Sequence, residues 1–289
     1  MGMPYAEVIG DPIAHSKSPL IHKFWLEKLA IKGDYRAVQV TPADLHVYLV
    51  DRARDPEWRG CNVTSPLKRA VLPFMAHVDR EASRAGAVNV ITPAPGGTRK
   101  GRNTDVLAVA ELLRQFSRPS YKNHVATYVQ IVGAGGAARA AATGAREAGY
   151  GDFDVFNRSI EHAHELAASI GAPFGKGNPL GALGPIRKLD DGPEDQRYSH
   201  VVINATPLGM SGQPPVPIDL STYYPDTIVL DMVYSPVETP LIREARAFRL
   251  ATIDGLQMLV AQAAHAFHSF FGQPSPRQYD AELRALLTR

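Results

Sequence analysis

Val125-Ala126-Thr127-Tyr128-Val129-Gln130-Ile131-Val132-Gly133-Ala134-Gly135-Gly136-Ala137-Ala138 is the stretch that decides the fold. The largely apolar run to Val132 has the character of a buried parallel strand. The glycine cluster that follows opens an alanine-rich helix running to about Gly149. Strand, Gly-x-Gly-x-x-Ala and helix together form the dinucleotide-binding signature. Gly133 permits the tight turn, Gly135 lets a pyrophosphate approach the backbone, and Ala138 allows close helix–strand packing. Gly133, Ala134, Gly135, Gly136 and Ala137 are therefore candidate cofactor contacts, because a helix N-terminus offers unpaired N–H groups and a positive dipole end to phosphates. About 20 residues on, where an NAD site places an Asp or Glu, the strand Asp154–Phe156 ends in Asn157-Arg158-Ser159. That tripeptide has no carboxylate, and Arg158 can pair with a 2′-phosphate and stack on adenine. NADP is the expected cofactor, with NAD possible.

Outward from this core, strand-like and helix-like stretches alternate along the chain, which predicts an α/β protein with parallel sheets and helices on both faces. On the N-terminal side, Tyr5–Gly10, Asp34–Val40, Gly60–Thr64 and Ala87–Thr92 read as strands. Ser18 reads as the N-cap of a helix reaching Leu29, with Pro19 at its first position. Gly96-Gly97 reads as a turn into Thr98–Asn103. On the C-terminal side, His200–Asn204, Thr227–Asp231 and Ala251–Asp254 read as strands, and the Gly-, Pro- and Asp-rich segment 173–197 reads as mostly loop. The helices Leu256–Phe271 and Gln278–Leu287 follow the last strand and can return to the first domain. The predicted layout is an N-terminal α/β substrate domain of residues 1–105 and 256–289, interrupted by a Rossmann-type dinucleotide-binding domain of residues 106–255.

Composition narrows the function. With 45% hydrophobic residues in 289, the chain can build two cores. A net charge of +2 with no basic run predicts no nucleic-acid partner. The single cysteine, Cys61, excludes an internal disulfide and a Cys-based structural zinc site, and no metal is expected. The N-terminus lacks the charged and apolar regions of a signal peptide, and Met258–Phe271 is too short and too polar to span a bilayer. The expectation is a cytoplasmic protein with no membrane partner, acting on a small molecule as a monomer or homodimer.

Four polar clusters fall at strand ends or turns, where doubly wound proteins bind ligands. Ser16-Lys17-Ser18 offers two hydroxyls and a helix N-terminus, a good seat for a carboxylate. Asn62-Val63-Thr64-Ser65-Pro66-Leu67-Lys68 brings together an amide, a hydroxyl and an amine. Ala87-Val88-Asn89 and Asn103-Thr104-Asp105 complete the set. Taken singly each has an ordinary structural explanation as a cap or a solvated side chain.

Taken in order, these clusters, Gly-Ala-Gly-Gly-Ala, Asn-Ala-Thr-Pro-x-Gly-Met, Asp-Met-Val-Tyr and the Val-Ala-Gln-Ala stretch resemble the shikimate dehydrogenase family, from Val8 to the last helices. The resemblance implies that Lys68 and Asp105 are the catalytic pair, Lys68 giving a proton to the ketone oxygen as hydride arrives. It implies that Ser16, Ser18 and Tyr234 hold the substrate carboxylate, and that Thr64, Asn89 and Gln262 contact the ring hydroxyls. It also implies that Met232 and Gly255 lie beside the nicotinamide. Hydride addition builds negative charge on oxygen, and a nearby acid is the chemical answer to it.

Three positions depart from the family pattern. His162 stands where NADP-using members commonly carry a second basic residue, and Ser159 replaces a Thr, so NADP affinity is expected to be weaker or pH-dependent. Val106 follows Asn-Thr-Asp where Gly is usual, and Ser65 stands where an apolar residue is more common. These keep open a paralogue acting on quinate or an amino analogue, and a non-catalytic sensor of NADP(H) and a metabolite. A short-chain dehydrogenase is excluded because no Tyr has Lys four residues on.

Overall fold

The computed structural model describes residues 2–116, 126–170, 177–184 and 198–289. Val125 and, within 173–197, residues 173–176 and 185–197 lie outside them. The chain forms two compact units, residues 1–108 with 260–289 and residues 109–259. The division falls inside two helices rather than in loops, so no turn signal in the sequence marks it.

In the first unit the order is β1 (Tyr5–Gly10), α1 (Ser18–Lys28), β2 (Asp34–Gln39), α2 (Leu45–Ala53), β3 (Trp58–Val63), α3 (Leu67–Ala70), β4 (His77–Val78), α4 (Arg80–Ala85), β5 (Val90–Ala94), β6 (Thr98–Arg102) and the start of α5 (Thr104–Arg114). The six-stranded sheet has the order β2-β1-β3-β5-β6-β4. β1 pairs parallel with β2 and β3, but β5 runs antiparallel to both β3 and β6. The expected parallel sheet is therefore mixed here. The cause is the β5–β6 hairpin: its tight connection through Gly96 and Gly97, at φ +70° and +72°, returns the chain beside itself. The strand expected at Ala87–Thr92 begins only at Val90, which leaves Asn89 at the sheet edge as a loop residue. β4 and α4 had no counterpart in the sequence reading.

At the centre of this sheet both faces are buried, and β1 shows how. Tyr5 and Ile9 join a core with Leu49, Trp58, Leu67 and Ile91 on one face, while Ala6 and Val8 pack with Val90, Ala266 and Phe270 on the other. Ser18 is the first helical residue of α1 rather than its cap. Lys17 is the N-cap, and the Ser16 hydroxyl accepts from the Ser18 N–H at 3.3 Å. The Ser18 hydroxyl therefore does not cap the helix, because the helix starts one residue before Pro19.

The second unit holds β7 (Ala126–Val132), α6 (Gly136–Glu147), β8 (Asp152–Asn157), α7 (Ile160–Ser169), β9 (Gly177–Pro179), β10 (Tyr198–Asn204), β11 (Ile228–Asp231), α8 (Pro240–Ala247), β12 (Ala251–Ile253) and the start of α9 (Gly255–Phe271). Its sheet, β12-β11-β10-β7-β8-β9, is parallel throughout. This is the doubly wound order, with the reversal between β7 and β10. β9 lies in the segment read as loop: three residues pairing with β8 are too few for a periodic pattern to register. α9 ends in the first unit, where α10 (Asp280–Leu287) also packs, with Leu283 and Leu287 buried. No helix among the described residues is long and apolar enough to cross a membrane.

Candidate active site

In the first unit, β1, β3 and β6 end at one edge of the sheet, and antiparallel β5 begins there. Four loops therefore converge. Main-chain bonds lock them: Thr64 N–H donates to Ile9 O (2.9 Å), Val63 N–H to Asn89 O (2.8 Å), Val88 N–H to Lys68 O (2.8 Å) and Asn89 N–H to Arg102 O (2.9 Å). A Cβ on Gly10 would sit 2.4 Å from Thr64 Cγ2, so the loop after β1 lies directly on the Thr64 loop.

Lys68 rises from α3, and Asp105 sits in the first turn of α5, where a carboxylate meets the positive end of a helix. Lys68 Nζ donates to Asp105 Oδ2 at 2.6 Å, with 17% and 6% of the side chains exposed. The pair comes from residues 37 apart, and it is a short, charge-assisted contact largely removed from water. α5 is capped by Asn103, whose Oδ1 accepts from Val106 N–H at 3.2 Å and whose Nδ2 donates to Ala87 O at 2.8 Å. Asn89 is buried against the same turn. Its Oδ1 accepts from Thr104 N–H (2.7 Å) and its Nδ2 donates to Thr104 Oγ1 (3.0 Å), leaving one amide hydrogen uncommitted among the described residues. Asn62, the amide of its polar cluster, is spent inside the protein: it accepts from Tyr35 Oη at 2.6 Å and donates to Asn89 O at 3.3 Å. Ser18 is buried, and Ser16, Thr64 and Gln262 are half-buried. Lys17, between the two serines, donates its ammonium to the Leu287 carbonyl at the end of α10.

In the second unit the cofactor signature lies at the reversal point. Gly133 has φ +113°, and a Cβ there would lie 2.9 Å from Thr206 Cγ2 and 3.1 Å from Ala205 O, the residues that follow β10. Glycine is thus required twice over, by conformation and by the neighbouring loop. Gly135, the N-cap of α6, faces open space and brings no side chain to the helix end, so the α6 N–H groups stay available. This cradle fits a pyrophosphate. Asn204, whose motif carried no assigned role, organises the facing loop. Its Nδ2 donates to Leu208 O and Asp231 Oδ1, both at 2.9 Å, and its Oδ1 accepts from Thr206 Oγ1 at 2.7 Å. Asp231 also accepts from Thr239 Oγ1 at 2.6 Å, and burial holds its carboxyl above the usual range despite these bonds.

The residues after β8 form the second part. Ser159 caps α7 by accepting from His162 N–H, and Asn157 Nδ2 donates to Ser159 O at 3.0 Å. Arg158 is exposed and makes no ion pair among the described residues, which leaves its guanidinium for a phosphate. Ser159 Oγ donates to Glu161 Oε2 at 2.7 Å, and that bond holds the Glu161 carboxyl below its usual range. Met232 and Tyr234 are half-buried in the loop after β11. Gly255 packs on that loop so closely that a Cβ would fall 2.1 Å from Val233 O. This packing contact is a reason for glycine that the sequence did not disclose.

Residues 8–91 match the family model described as the shikimate dehydrogenase substrate binding domain. A shikimate dehydrogenase (NADP(+)) of Sphingopyxis alaskensis is 44% identical over 287 residues, covering 98% of this chain and 97% of the relative. A solved shikimate 5-dehydrogenase of Thermus thermophilus, in complex with NADP(H) and shikimate, superposes with a TM-score of 0.79 at 32% identity, covering 99% of this chain and all of that one. A quinate dehydrogenase of Corynebacterium glutamicum in complex with NAD gives a TM-score of 0.78 at 28% identity, over 98% and 99% of the two chains. With the motifs in order, the doubly wound second sheet and this similarity along nearly the whole length, the chain belongs to the shikimate dehydrogenase family.

Proposed function

We propose that this chain is an NADP-dependent shikimate dehydrogenase, catalysing reversible hydride transfer between NADPH and 3-dehydroshikimate to give shikimate, a step of aromatic amino-acid biosynthesis. The observation that carries the reading is the Lys68–Asp105 contact of 2.6 Å at the meeting point of the substrate-side loops. A pure binding protein has no need of a buried acid–base pair there.

With its pyrophosphate held at the α6 N-terminus, the dinucleotide would supply the hydride. In the direction of reduction, as hydride reaches the carbonyl carbon and the C=O π pair moves onto oxygen, Lys68 gives its proton to that oxygen, and the reverse reaction returns it. Asp105 orients the ammonium. Ser16, Ser18 and Tyr234 hold the substrate carboxylate, and Thr64, Gln262 and the remaining amide hydrogen of Asn89 hold ring hydroxyls. Gly133, Ala134, Gly135, Gly136 and Ala137 receive the pyrophosphate; Asn157, Arg158 and Ser159 receive the adenosine phosphate; Met232 and Gly255 flank the nicotinamide. With this reading go a substrate domain of residues 1–105 and 256–289, an NADP domain of residues 106–255, a cytoplasmic location and a monomeric or homodimeric state.

The test is initial-rate kinetics with shikimate and with quinate, each paired with NADP⁺ and with NAD⁺. Turnover confined to shikimate with NADP⁺ is expected. Turnover only with quinate or NAD⁺ moves the chain to a sister subgroup, and cofactor binding without turnover of any pair overturns the reading in favour of a sensor.

A further inference from the structure

In the first unit, the sheet face covered by α9 changes character part-way across. Residues paired across an antiparallel ladder share a face. Val90 pairs with Arg102 and Thr92 with Lys100, so all four project to the side on which Val90 packs with Ala266 and Phe270 of α9. α9 stops at Phe271. Beyond its last turn that face is open, and a cavity of about 520 Å³ lies between β4, β5, β6 and the His268–Ser269 end of the helix. A space of this size is in the range of small-ligand sites.

The lining is basic. Lys100, His77 and His268 make no side-chain hydrogen bond or ion pair among the described residues. Arg102 spends Nε on Asp79 at 3.3 Å and Nη1 on the Ser269 hydroxyl at 2.6 Å, which fixes the guanidinium and leaves Nη2 uncommitted among the described residues. Thr92 adds a hydroxyl. Among the described residues of the wall, Asp79 is the one carboxylate, and Arg102 already pairs with it. Arg99, next along the strand, projects to the opposite face and is consumed by the carbonyls of Phe74 and Leu49. A basic residue on this strand is therefore not solvated by default: one is structural, while the two facing the cavity keep donors free.

We propose that this cavity is a second ligand site, distinct from the Lys68–Asp105 centre, that binds a small phosphate-bearing anion. The chemistry is that of a phosphomonoester or free phosphate: a fixed guanidinium, an ammonium, two imidazoles and the Thr92 hydroxyl around one pocket, the Ser269 hydroxyl being spent on Arg102 and on the His265 carbonyl. The assignment stands independently of the dehydrogenase reading.

The experiment is calorimetric titration of the cofactor-free chain with inorganic phosphate and, separately, with glycerol 3-phosphate. Wild type, Lys100→Glu and Arg158→Ala are compared, and a thermal melt establishes that each is folded; Lys100 is exposed and makes no ion pair among the described residues, so its substitution should leave the fold intact. Saturable binding is expected in wild type and Arg158→Ala, with at least a roughly tenfold loss in Lys100→Glu. Tighter binding of glycerol 3-phosphate would identify a phosphomonoester, and equal binding free phosphate. Absence of saturable binding, or binding that survives Lys100→Glu, would overturn the proposal.

Discussion

The two units build their candidate sites from different materials. In the first, the groups gathered at the sheet edge are side chains: Lys68, Asp105, Asn89, Thr64 and the two serines, brought together by main-chain bonds among four loops. In the second, the cradle at the end of β7 is backbone: a glycine at φ +113° and a helix start without a side-chain cap. A side-chain site can be edited one group at a time, so chemistry and substrate choice can be separated by mutation. A backbone site tolerates few changes, so a choice between cofactors would fall to neighbouring side chains such as those from Asn157 to Glu161 after β8.

Lys68→Ala tests this contrast most severely. We expect kcat to fall by about 10²–10⁴-fold, with KM for shikimate and for NADP⁺ within a few-fold, because proton donation is a transition-state effect. The variant strands Asp105 at 6% exposure without its cation, so a thermal melt must accompany the kinetics. A large rise in KM at constant kcat would show that the first unit merely binds.

Arg158→Ala should raise KM for NADP⁺ by about 10–100-fold, the worth of a charge-assisted contact to phosphate, and leave KM for NAD⁺ nearly unchanged. Equal effects on both cofactors would remove the 2′-phosphate from the account of the second unit.

The units also differ in their response to acid. His22 is fully buried, stacks on Tyr35 at 4.0 Å and has no hydrogen-bond partner for either ring nitrogen among the described residues; burial drives its pKa down to about 3. The folded state therefore keeps it neutral while the unfolded chain takes up a proton below its ordinary value near 6.5. The stability it contributes is complete above that value and is lost as pH falls toward 3, by about 2 kcal/mol at pH 5. Asp231 in the second unit works in the opposite sense, since burial raises its pKa and protonation relieves the penalty as pH falls. Both tryptophans, Trp25 and Trp58, lie in the first unit, so fluorescence melts follow that unit alone. Its melting temperature should drop on going from about pH 7 to about pH 5, and His22→Phe should flatten the drop. An unchanged slope in the variant would rule His22 out as the cause.

The smallest effect concerns Glu161. Its carboxylate accepts from Ser159 Oγ at 2.7 Å, beside the residues assigned to the 2′-phosphate. Glu161→Gln should lower KM for NADP⁺ about two- to threefold, as expected for one exposed, screened charge. A change shared by NAD⁺ would place the effect elsewhere in the second unit.

The second unit was legible from physical rules because its signal is local. A strand, three small residues and a helix occupy one short stretch, and at Gly133 the backbone itself, at φ +113°, is one reason for glycine. The first unit was legible mainly through resemblance. Lys68 and Asp105 are 37 residues apart, and neither spacing nor periodicity says that they touch. The roles of Asn62 and Asn204 stayed hidden for a related reason: each works through hydrogen bonds to residues 27 apart in sequence, Tyr35 and Asp231.

By itself the sequence determined the alternation of strands and helices, the dinucleotide cradle, the absence of a carboxylate from Asn157-Arg158-Ser159 and the order of the polar clusters, because each is written in residues close along the chain. Tertiary structure alone decided the antiparallel β5, the short strands β4 and β9, the start of α1 at Ser18, the Lys68–Asp105 contact and the basic cavity beyond α9. All of these depend on which segments lie side by side. That choice is made by burial of the central strands of two sheets, a property of the whole chain.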